Sequence, residues 1–376
     1  MQPSLFQSDH RAPLPMDGWH YVPSVQNKPG ELLALKEMSP TAWDRMTPVV
    51  NLVGPTSRTK PLRAQAVANW VKKVGDAVGE HPVYLDVMRL DPTRPVKTSN
   101  GDAPVLAHIY AAARKRHMLF IPVAWVGEST IEHVNVVAGA AREDGNGVAL
   151  RFRFLNIATP PGTTRTALIR RTLDDLQCDV SNADLLVDLG YLDPDDDLDA
   201  QSLAASINPM IAIGSWRSIV VLGSSIPKTL SCVAEGTIGS LSRREWELWT
   251  QLSACGLSRR PAFGDYAVQH PSPPTEGGGP GMRANIRYTT ADATLVARGK
   301  GSVLQEGKEQ YRELCQQIVA QEAFSGRSYT RGDLVIQDCA DGTVEPGAQQ
   351  MWRGAGTSHH LQFTIDQLQQ RRSAKI

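Results

Sequence analysis

Charged side chains follow several short apolar runs in this sequence, and such positions can assemble a site for an anion. Guanidinium and ammonium groups suit phosphate or carboxylate, whereas carboxylates can orient a base or hold a metal ion. Structural ion pairs would account for the same residues, so both interpretations stay open. The fixed positive charges are Lys28, Arg89, Arg287, Arg298 and Arg353, and the carboxylates are Asp86, Asp188 and Asp265.

A second candidate is the stretch MWRGAGTSHHLQF, residues 351–363. We predict a loop here, in which His359 and His360 lie in an extended segment and point to opposite faces. The inward histidine would act as an acid or base or hydrogen-bond in a polar pocket, and the glycines would let the backbone approach closely. The alternative is that Trp352 and Phe363 only attach the tail to the rest of the fold.

Eight apolar, β-rich runs must position these residues, and helical patterns alternate with them. The predicted strands are 21–25, 47–53, 82–88, 118–126, 147–154, 183–190, 217–223 and 262–268, and the predicted helices between them are 30–38, 61–78, 103–116, 130–144, 164–176, 196–208 and 242–254. The alternation predicts an α/β fold, a TIM-like (β/α)8 barrel, since such barrels take ~250 residues and carry their sites at the carboxyl ends of the strands. A doubly wound open sheet is the alternative, but the Gly-rich fingerprint that often follows its first strand is absent here.

The barrel is predicted over residues 19–269, after a poorly structured N-terminal extension (1–18). Residues 270–376 would pack on it, with a β-hairpin and loop insertion capping the barrel mouth. Within this part we predict a Pro/Gly-rich loop, two hairpin strands, a helix that would serve as the eighth barrel helix, a loop with a strand, and a final helix. These segments are 270–281, 284–290 with 293–299, 308–324, 328–342 and 364–372.

Composition and charge narrow the class of protein. The 39 Lys and Arg balance 39 Asp and Glu, which gives no support for binding nucleic acid or an anionic membrane surface broadly. The N-terminus lacks the features of a signal peptide, and no run is long and apolar enough to span a membrane. The five scattered cysteines predict reduced, mostly buried thiols. We therefore expect a cytoplasmic protein.

Several motifs, read in order, resemble those of one family. They are YVPSVQNKPGELLAL, FGDYAVQHP, ANIRYTT with VARG, YTRGD and WRGAGTSHH, and they extend from about residue 19 to 363. Together they resemble the beta family of prophage and satellite-phage proteins, whose namesake is the Beta protein of the gop–beta–cII locus. The resemblance implies antiviral defence by abortive infection, in which a toxin-antitoxin-like partner restrains a lethal protein of the same locus. It implies no settled chemistry, so whether the chain is an enzyme stays open.

The resemblance also implies a shared site at the matching motif positions. These positions include Tyr266, Gly332 and Asp333 as well as most of the residues named next. From both lines of reasoning we predict one site at the barrel mouth. Its catalytic residues would be Asp265, His360 and Glu31, and its ligand-binding residues Lys28, Asp86, His270, Arg287, Tyr288, Arg298, Trp352, Arg353 and His359. No metal ligand is predicted, because HExxH, HxH and CxxC patterns are absent, and no cofactor is named.

Two functions fit these residues. The first is a binding and regulatory protein that restrains a toxic partner protein, or senses a phage product, at the barrel mouth. The second is a hydrolase or phosphodiesterase acting on a phosphorylated or nucleotide-like ligand, by analogy with other barrels. Either function allows an anionic small molecule as a ligand.

Overall fold

The computed structural model describes residues 15–54, 62–87, 90, 94–98, 101–155, 163–272 and 283–374. Eight parallel strands close into a barrel, which confirms the predicted TIM-like fold and excludes the open sheet. In order around the barrel they are β1 (Tyr21–Gln26), β2 (Val49–Asn51), β4 (Val83–Asp86), β7 (Phe120–Trp125), β8 (Val148–Arg153), β9 (Ala183–Tyr191), β10 (Ser218–Ser224) and β12 (Ala262–Asp265), which pairs with β1. Each lies within or overlaps a predicted strand.

Barrel strands are covered on both faces, which is why they read as nearly continuous apolar runs. Alternate side chains point inward and outward. Val22 and Leu222 belong to the cluster that fills the barrel interior, whereas Tyr21 and Phe263 belong to the larger core between strands and helices. The face on which a residue lies therefore decides whether it can reach the barrel mouth or only the surrounding helices.

Helices follow the barrel strands, and the seven predicted in this part are confirmed in type. They are α1 (Pro29–Lys36), α3 (Ala64–Val78), α4 (Val105–Arg114), α5 (Ile131–Asp144), α6 (Arg165–Leu176), α7 (Ala200–Ile211) and α8 (Arg244–Leu252), with a short α2 (Pro40–Trp43) after α1. Four of them begin at side-chain caps, where the side chain of Ser39, Thr130, Thr164 or Asp199 accepts a backbone N–H of the first turn. Such caps satisfy amides that a helix leaves unpaired.

Two small sheets accompany the barrel. The predicted hairpin is confirmed as the antiparallel pair β13 (Arg283–Thr289) and β14 (Ala293–Ser302), to which β11 (Ile238–Ser242) adds a third strand that was not predicted. The second sheet, also not predicted, contains β3 (Leu62–Arg63), β5 (Pro95–Thr98) and β6 (Gly101–Pro104). Most of the predicted 270–281 loop lies outside the described residues.

The C-terminal part is helical where a loop and a strand were expected. After α9 (Val303–Glu306) and α10 (Gln310–Val319), residues 328–342 contain α11 (Arg331–Ala340), and residues 351–363 lie inside α12 (Gln349–Ser373), a helix of 25 residues. Both predictions for these segments were wrong. Gly, Ser and Thr are weak helix formers and therefore favoured a non-helical prediction. Packing against the rest of the fold outweighs differences in helix propensity of this size.

The glycines of α12 allow close helix packing. A Cβ atom on Gly354 would lie 3.0 Å from the carbonyl oxygen of Gly30 in α1, and one on Gly356 would lie 2.6 Å from that of Arg287 in β13. A Cβ atom on Gly332 of α11 would overlap the carbonyl group of Ala355. The glycines thus serve close backbone approach, as predicted, but within a helix rather than a loop.

The eighth helical position of the barrel belongs to α12. Leu361, Ile365 and Leu368 join the core between strands and helices, whereas Tyr311 and Leu314 of α10 pack in a separate core with the hairpin and α11. The prediction that the 308–324 helix closes the barrel layer was therefore wrong.

The described part of the N-terminal segment packs against the barrel. Met16 is buried in the barrel-interior cluster, and its backbone N–H donates to Ser218 Oγ at 3.0 Å. Residues 1–14 of the predicted extension lie outside the described residues.

Candidate functional site

A buried arginine occupies the barrel interior at the carboxyl ends of the strands. Arg151 of β8 donates through Nη1 to Asp86 Oδ2 at 2.7 Å and to Asn51 Oδ1 at 2.9 Å, and through Nε to Asp188 Oδ2 at 2.9 Å. Burial opposes its charge, but Tyr266, Asp188 and Asp86 outweigh burial and raise the pKa of Arg151 above its ordinary value. The guanidinium therefore stays charged and links three other strands.

Two aromatic side chains complete this network. Trp125 Nε1 donates to Asp86 Oδ1 at 3.0 Å, and the ring lies 4.7 Å from Cζ of Arg151. Tyr266 donates its hydroxyl to Asp188 Oδ2 at 2.6 Å and accepts from Arg151 Nη2 at 2.7 Å. Asp86, a predicted ligand-binding residue, thus already accepts hydrogen bonds from Arg151 and Trp125. A ligand would compete with these two side chains for the carboxylate.

Asp265 and His360 are brought together, but outside the barrel interior. Asp265 lies on the outward face of β12, the face of Phe263, and meets α12 there. Its Oδ2 lies 2.8 Å from His360 Nε2, and its Oδ1 accepts from the hydroxyl of Tyr21 at 2.7 Å. Nδ1 of His360 lies 2.7 Å from Thr289 Oγ1. Asp265 is 1% exposed and His360 is 2% exposed, so neither reaches solvent.

Electrostatics define the protonation of this pair. Burial raises the pKa of Asp265, but His360 and the hydroxyl of Tyr21 outweigh burial and hold it below its ordinary value. Burial lowers the pKa of His360 more than Asp265 raises it. The arrangement is a neutral imidazole that donates from Nε2 to a carboxylate and accepts a hydrogen bond from the Thr289 hydroxyl at Nδ1, a tautomer assigned from the hydrogen bonds.

His359 is also buried, about 100° around α12 from His360. Its ring stacks on Tyr288 with centroids 3.8 Å apart, Nδ1 lies 3.1 Å from Asp333 Oδ1, and Nε2 donates to the carbonyl of Thr289 at 2.9 Å. Tyr288 donates its hydroxyl to Asp333 at 2.7 Å. The expectation that one histidine faces outward was wrong, because α12 packs against α1, β13 and α11, and both rings contact Thr289 of β13.

Three cations and one carboxylate form a separate group at the carboxyl ends of β1 and β12, here called the rim group. It consists of Lys28, Glu31, Arg287 and Arg353. Glu31 Oε2 accepts the backbone N–H of Gln26 at 2.6 Å. Burial raises the pKa of Glu31, although Arg353, Lys28 and Arg287 oppose the rise. Burial and the charge of Arg353 lower the pKa of Arg287 to about 10.

Other predicted site residues lie apart from these groups. Arg298 donates to the carbonyls of Leu230, at 3.0 Å, and of Val233, and thereby holds the loop before β11. His270 Nδ1 accepts the backbone N–H of Ser272 at 3.0 Å, and its ring lies 5.2 Å from that of Tyr191. Arg89 lies outside the described residues.

The structure therefore distributes the twelve predicted residues over several groups. Arg151 is a candidate at the end of the fifth predicted strand, but the predicted site left it out, together with Tyr21 and Thr289. A signal for Arg151 was available, since it occupies an inward position of the run GVALRFRF, where a charge requires buried partners. Tyr21 and Thr289 carry no such signal.

Among the described residues, no three His, Cys, Asp or Glu side chains lie close enough to hold a metal ion. No helix within the described ranges is long and apolar enough to cross a membrane. All five cysteines are free, and only Cys315 and Cys339 are buried, so the expectation of mostly buried thiols was wrong.

One family model, described as "Beta protein", matches residues 21–366 and so spans nearly the whole chain. The matched range contains all twelve predicted site residues. No curated protein matches the chain.

Proposed function

The chain belongs to the beta protein family, and on that premise we propose that it is a binding and regulatory protein that restrains a toxic partner protein. The partner would be encoded in the same locus, and the setting would be antiviral defence of the prophage type that the family resemblance implies. Contact would be made at the rim group beside the barrel mouth.

The burial of the acid and base groups supports binding over catalysis. A general base must come within hydrogen-bond distance of the proton that it removes, yet Asp265 is 1% exposed and His360 is 2% exposed. Both hydrogen-bond to each other and to neighbours of the fold. This single observation favours a binding protein, because the residues best suited to proton transfer stabilise the attachment of α12.

Unpaired positive charge supports the rim group as the contact surface. Lys28, Arg287 and Arg353 form no ion pair with any residue that the structure describes, whereas Arg298 pairs with Glu235 at 3.5 Å. Charges of this kind are free to attract acidic groups of a partner and to fix its orientation.

Co-expression tests the proposal. The neighbouring protein whose expression alone halts growth would be produced with this chain, and survival and co-purification would be measured. We expect survival and a stable complex, both weakened in Arg353→Gln and retained in the control Arg298→Gln, which removes the same charge away from the rim. Absence of both rescue and association would overturn the proposal.

A hydrolase acting on a phosphorylated or nucleotide-like ligand is the second candidate, and one observation favours it. Glu31 is a buried carboxyl group with a raised pKa beside three cations, and such a group can donate a proton to a leaving oxygen. Release of phosphate from nucleotides, lost in Glu31→Gln, would support this candidate, and its absence from the wild-type protein would exclude these substrates.

A further inference from the structure

A small cavity opens beside the rim group, between β13 and the first turns of α12. It has a volume of about 30 Å³. Its polar lining consists of Gln269, Asn285, Arg287, Gln349, Trp352 and Arg353. Arg287 also donates from Nη1 to the carbonyl of Val268, which fixes its guanidinium against the loop after β12.

Several hydrogen-bond donors of this cavity have no acceptor. Nε1 of Trp352 and Nε of Arg287 are buried and make no hydrogen bond to a described residue. Trp352 is 1% exposed, so water outside the protein does not solvate its indole N–H. The guanidinium of Arg353, which is partly exposed, also hydrogen-bonds to none of the residues that the structure describes. Buried donors without acceptors cost free energy, and an acceptor bound in the cavity would recover it.

The charges at the cavity favour a monoanion. Arg287 and Arg353 repel each other, which contributes to the lowered pKa of Arg287, and Glu31 offsets part of their charge. A bound group with one negative charge would relieve this repulsion. The volume exceeds the roughly 10–15 Å³ that one water molecule needs, so the cavity has room for a small anionic group such as a carboxylate.

We propose that this cavity is a carboxylate-binding site, in which Arg287, Arg353 and the indole N–H of Trp352 hold the two carboxylate oxygens. Paired guanidinium N–H groups match a carboxylate in geometry as well as charge. This site would be the place where the toxic partner is bound, through an acidic side chain or the C terminus of that partner. Only this source of the carboxylate rests on the proposed function.

Nuclear magnetic resonance of the tryptophan indoles tests the site without the partner. The eight tryptophans give separate indole N–H signals, and loss of one in Trp352→Phe assigns that of Trp352. Sodium acetate, sodium phosphate and sodium chloride would be titrated into the full chain at constant ionic strength. We expect a saturable shift of the Trp352 signal with acetate, weaker binding of phosphate, and no saturation with chloride.

Substitutions of the two arginines test which side chains donate hydrogen bonds to the bound carboxylate. Arg353→Gln and Arg287→Gln should each weaken acetate binding by about tenfold or more, as expected for a lost charge-assisted hydrogen bond. Arg170→Gln, which removes an exposed arginine of α6, should leave it unchanged, and the seven remaining indole signals report whether each variant is folded. If a variant does not fold, Arg353→Lys should still weaken acetate binding, because it keeps the positive charge but removes the paired N–H groups of the guanidinium.

Three results would overturn the site: equal shifts with acetate and chloride, tighter binding of phosphate than of acetate, or unchanged acetate binding in folded Arg353→Gln. The two proposals fail separately. Acetate binding without co-purification of the partner would refute the proposed function alone, and co-purification without acetate binding would refute this site alone.

Discussion

Nε2 of His360 lies 2.8 Å from Oδ2 of Asp265, and this hydrogen bond joins residues 95 positions apart in the chain. It attaches α12, the last barrel helix, to β12, the last barrel strand. Between them the chain forms the β13–β14 hairpin and the three helices α9, α10 and α11, so the closing helix arrives late and is fixed by a buried polar contact as well as by Leu361 and Ile365.

Asp265→Asn should destabilise the protein by about 1.5–3 kcal/mol, the range for a hydrogen bond to a charged group. The carboxylate now accepts hydrogen bonds from N–H and O–H groups, and the NH₂ group of the amide would face one of these donors with a donor of its own. Chemical denaturation measures the change, and Asp197→Asn, at an exposed position, serves as the control. A cost below about 0.5 kcal/mol, no larger than that of an ordinary surface change, would contradict a structural role for the pair.

The stability of the protein should fall on mild acidification, in part through His360. Its pKa in the folded state lies below the ordinary value of 6.5, so the unfolded chain takes up a proton first as the pH falls. The free energy of unfolding therefore decreases below about pH 6.5, by at most about 1.4 kcal/mol per pH unit for this group.

His360→Gln should flatten that dependence between about pH 6.5 and 5. Glu31 and Glu245, whose folded pKa values are raised by burial, act in the opposite direction, so the readout is the difference between wild type and variant. His117→Asn, which removes an exposed histidine, is the control. Identical pH dependence in wild type and His360→Gln would refute the neutral, buried imidazole.

Arg151→Met should cost about 3–5 kcal/mol, because it leaves the carboxylates of Asp86 and Asp188 buried without their cation. Arg153→Met is the matched control, two residues along the same strand. Arg153 pairs with Glu128 at 3.4 Å, but its side chain is 42% exposed, and such pairs contribute about 1 kcal/mol or less. Equal losses for the two variants in urea denaturation would show that the central network does not stabilise the barrel.

Gly30→Ala should destabilise the protein by about 1–3 kcal/mol, the usual cost of overpacking. The new methyl group would overlap the carbonyl oxygen of Gln350 and push α1 away from α12. Gly139→Ala in α5 is the control, because a Cβ atom there meets nothing within 4 Å. The control should gain up to about 1 kcal/mol from its better helix propensity. Similar thermal shifts for both variants would refute the close helix contact.

The barrel was predictable because its signal is local. Runs such as MLFIPVAWV must be apolar on both faces of a covered strand, and this pattern is visible without knowledge of tertiary contacts. The family resemblance was confirmed for the same reason, since ordered motifs survive in the sequence itself. By contrast, α12 holds glycines that local propensity assigns to loops, and only its packing on α1 and β13 makes it a helix.

The candidate site was predictable in composition but less so in placement. Asp265 and His360 were both selected and do meet. Their position outside the barrel interior follows from the alternation that puts Asp265 on the face of Phe263, a signal that was present in AFGDYAV. No pattern in the sequence could show that Arg298 would donate its hydrogen bonds to the carbonyls of Leu230 and Val233, because that contact depends on the path of a loop.

In the proposed function this chain acts by binding, and Asp265 and His360 serve only to stabilise its fold. Survival of cells that co-express the toxic neighbour with an Asp265→Asn, His360→Gln double variant tests it most directly, at a temperature where circular dichroism shows the variant folded. We predict survival within about tenfold of the wild type, with the neighbour still co-purifying. Complete loss of survival by a folded variant that still binds its neighbour would contradict the account.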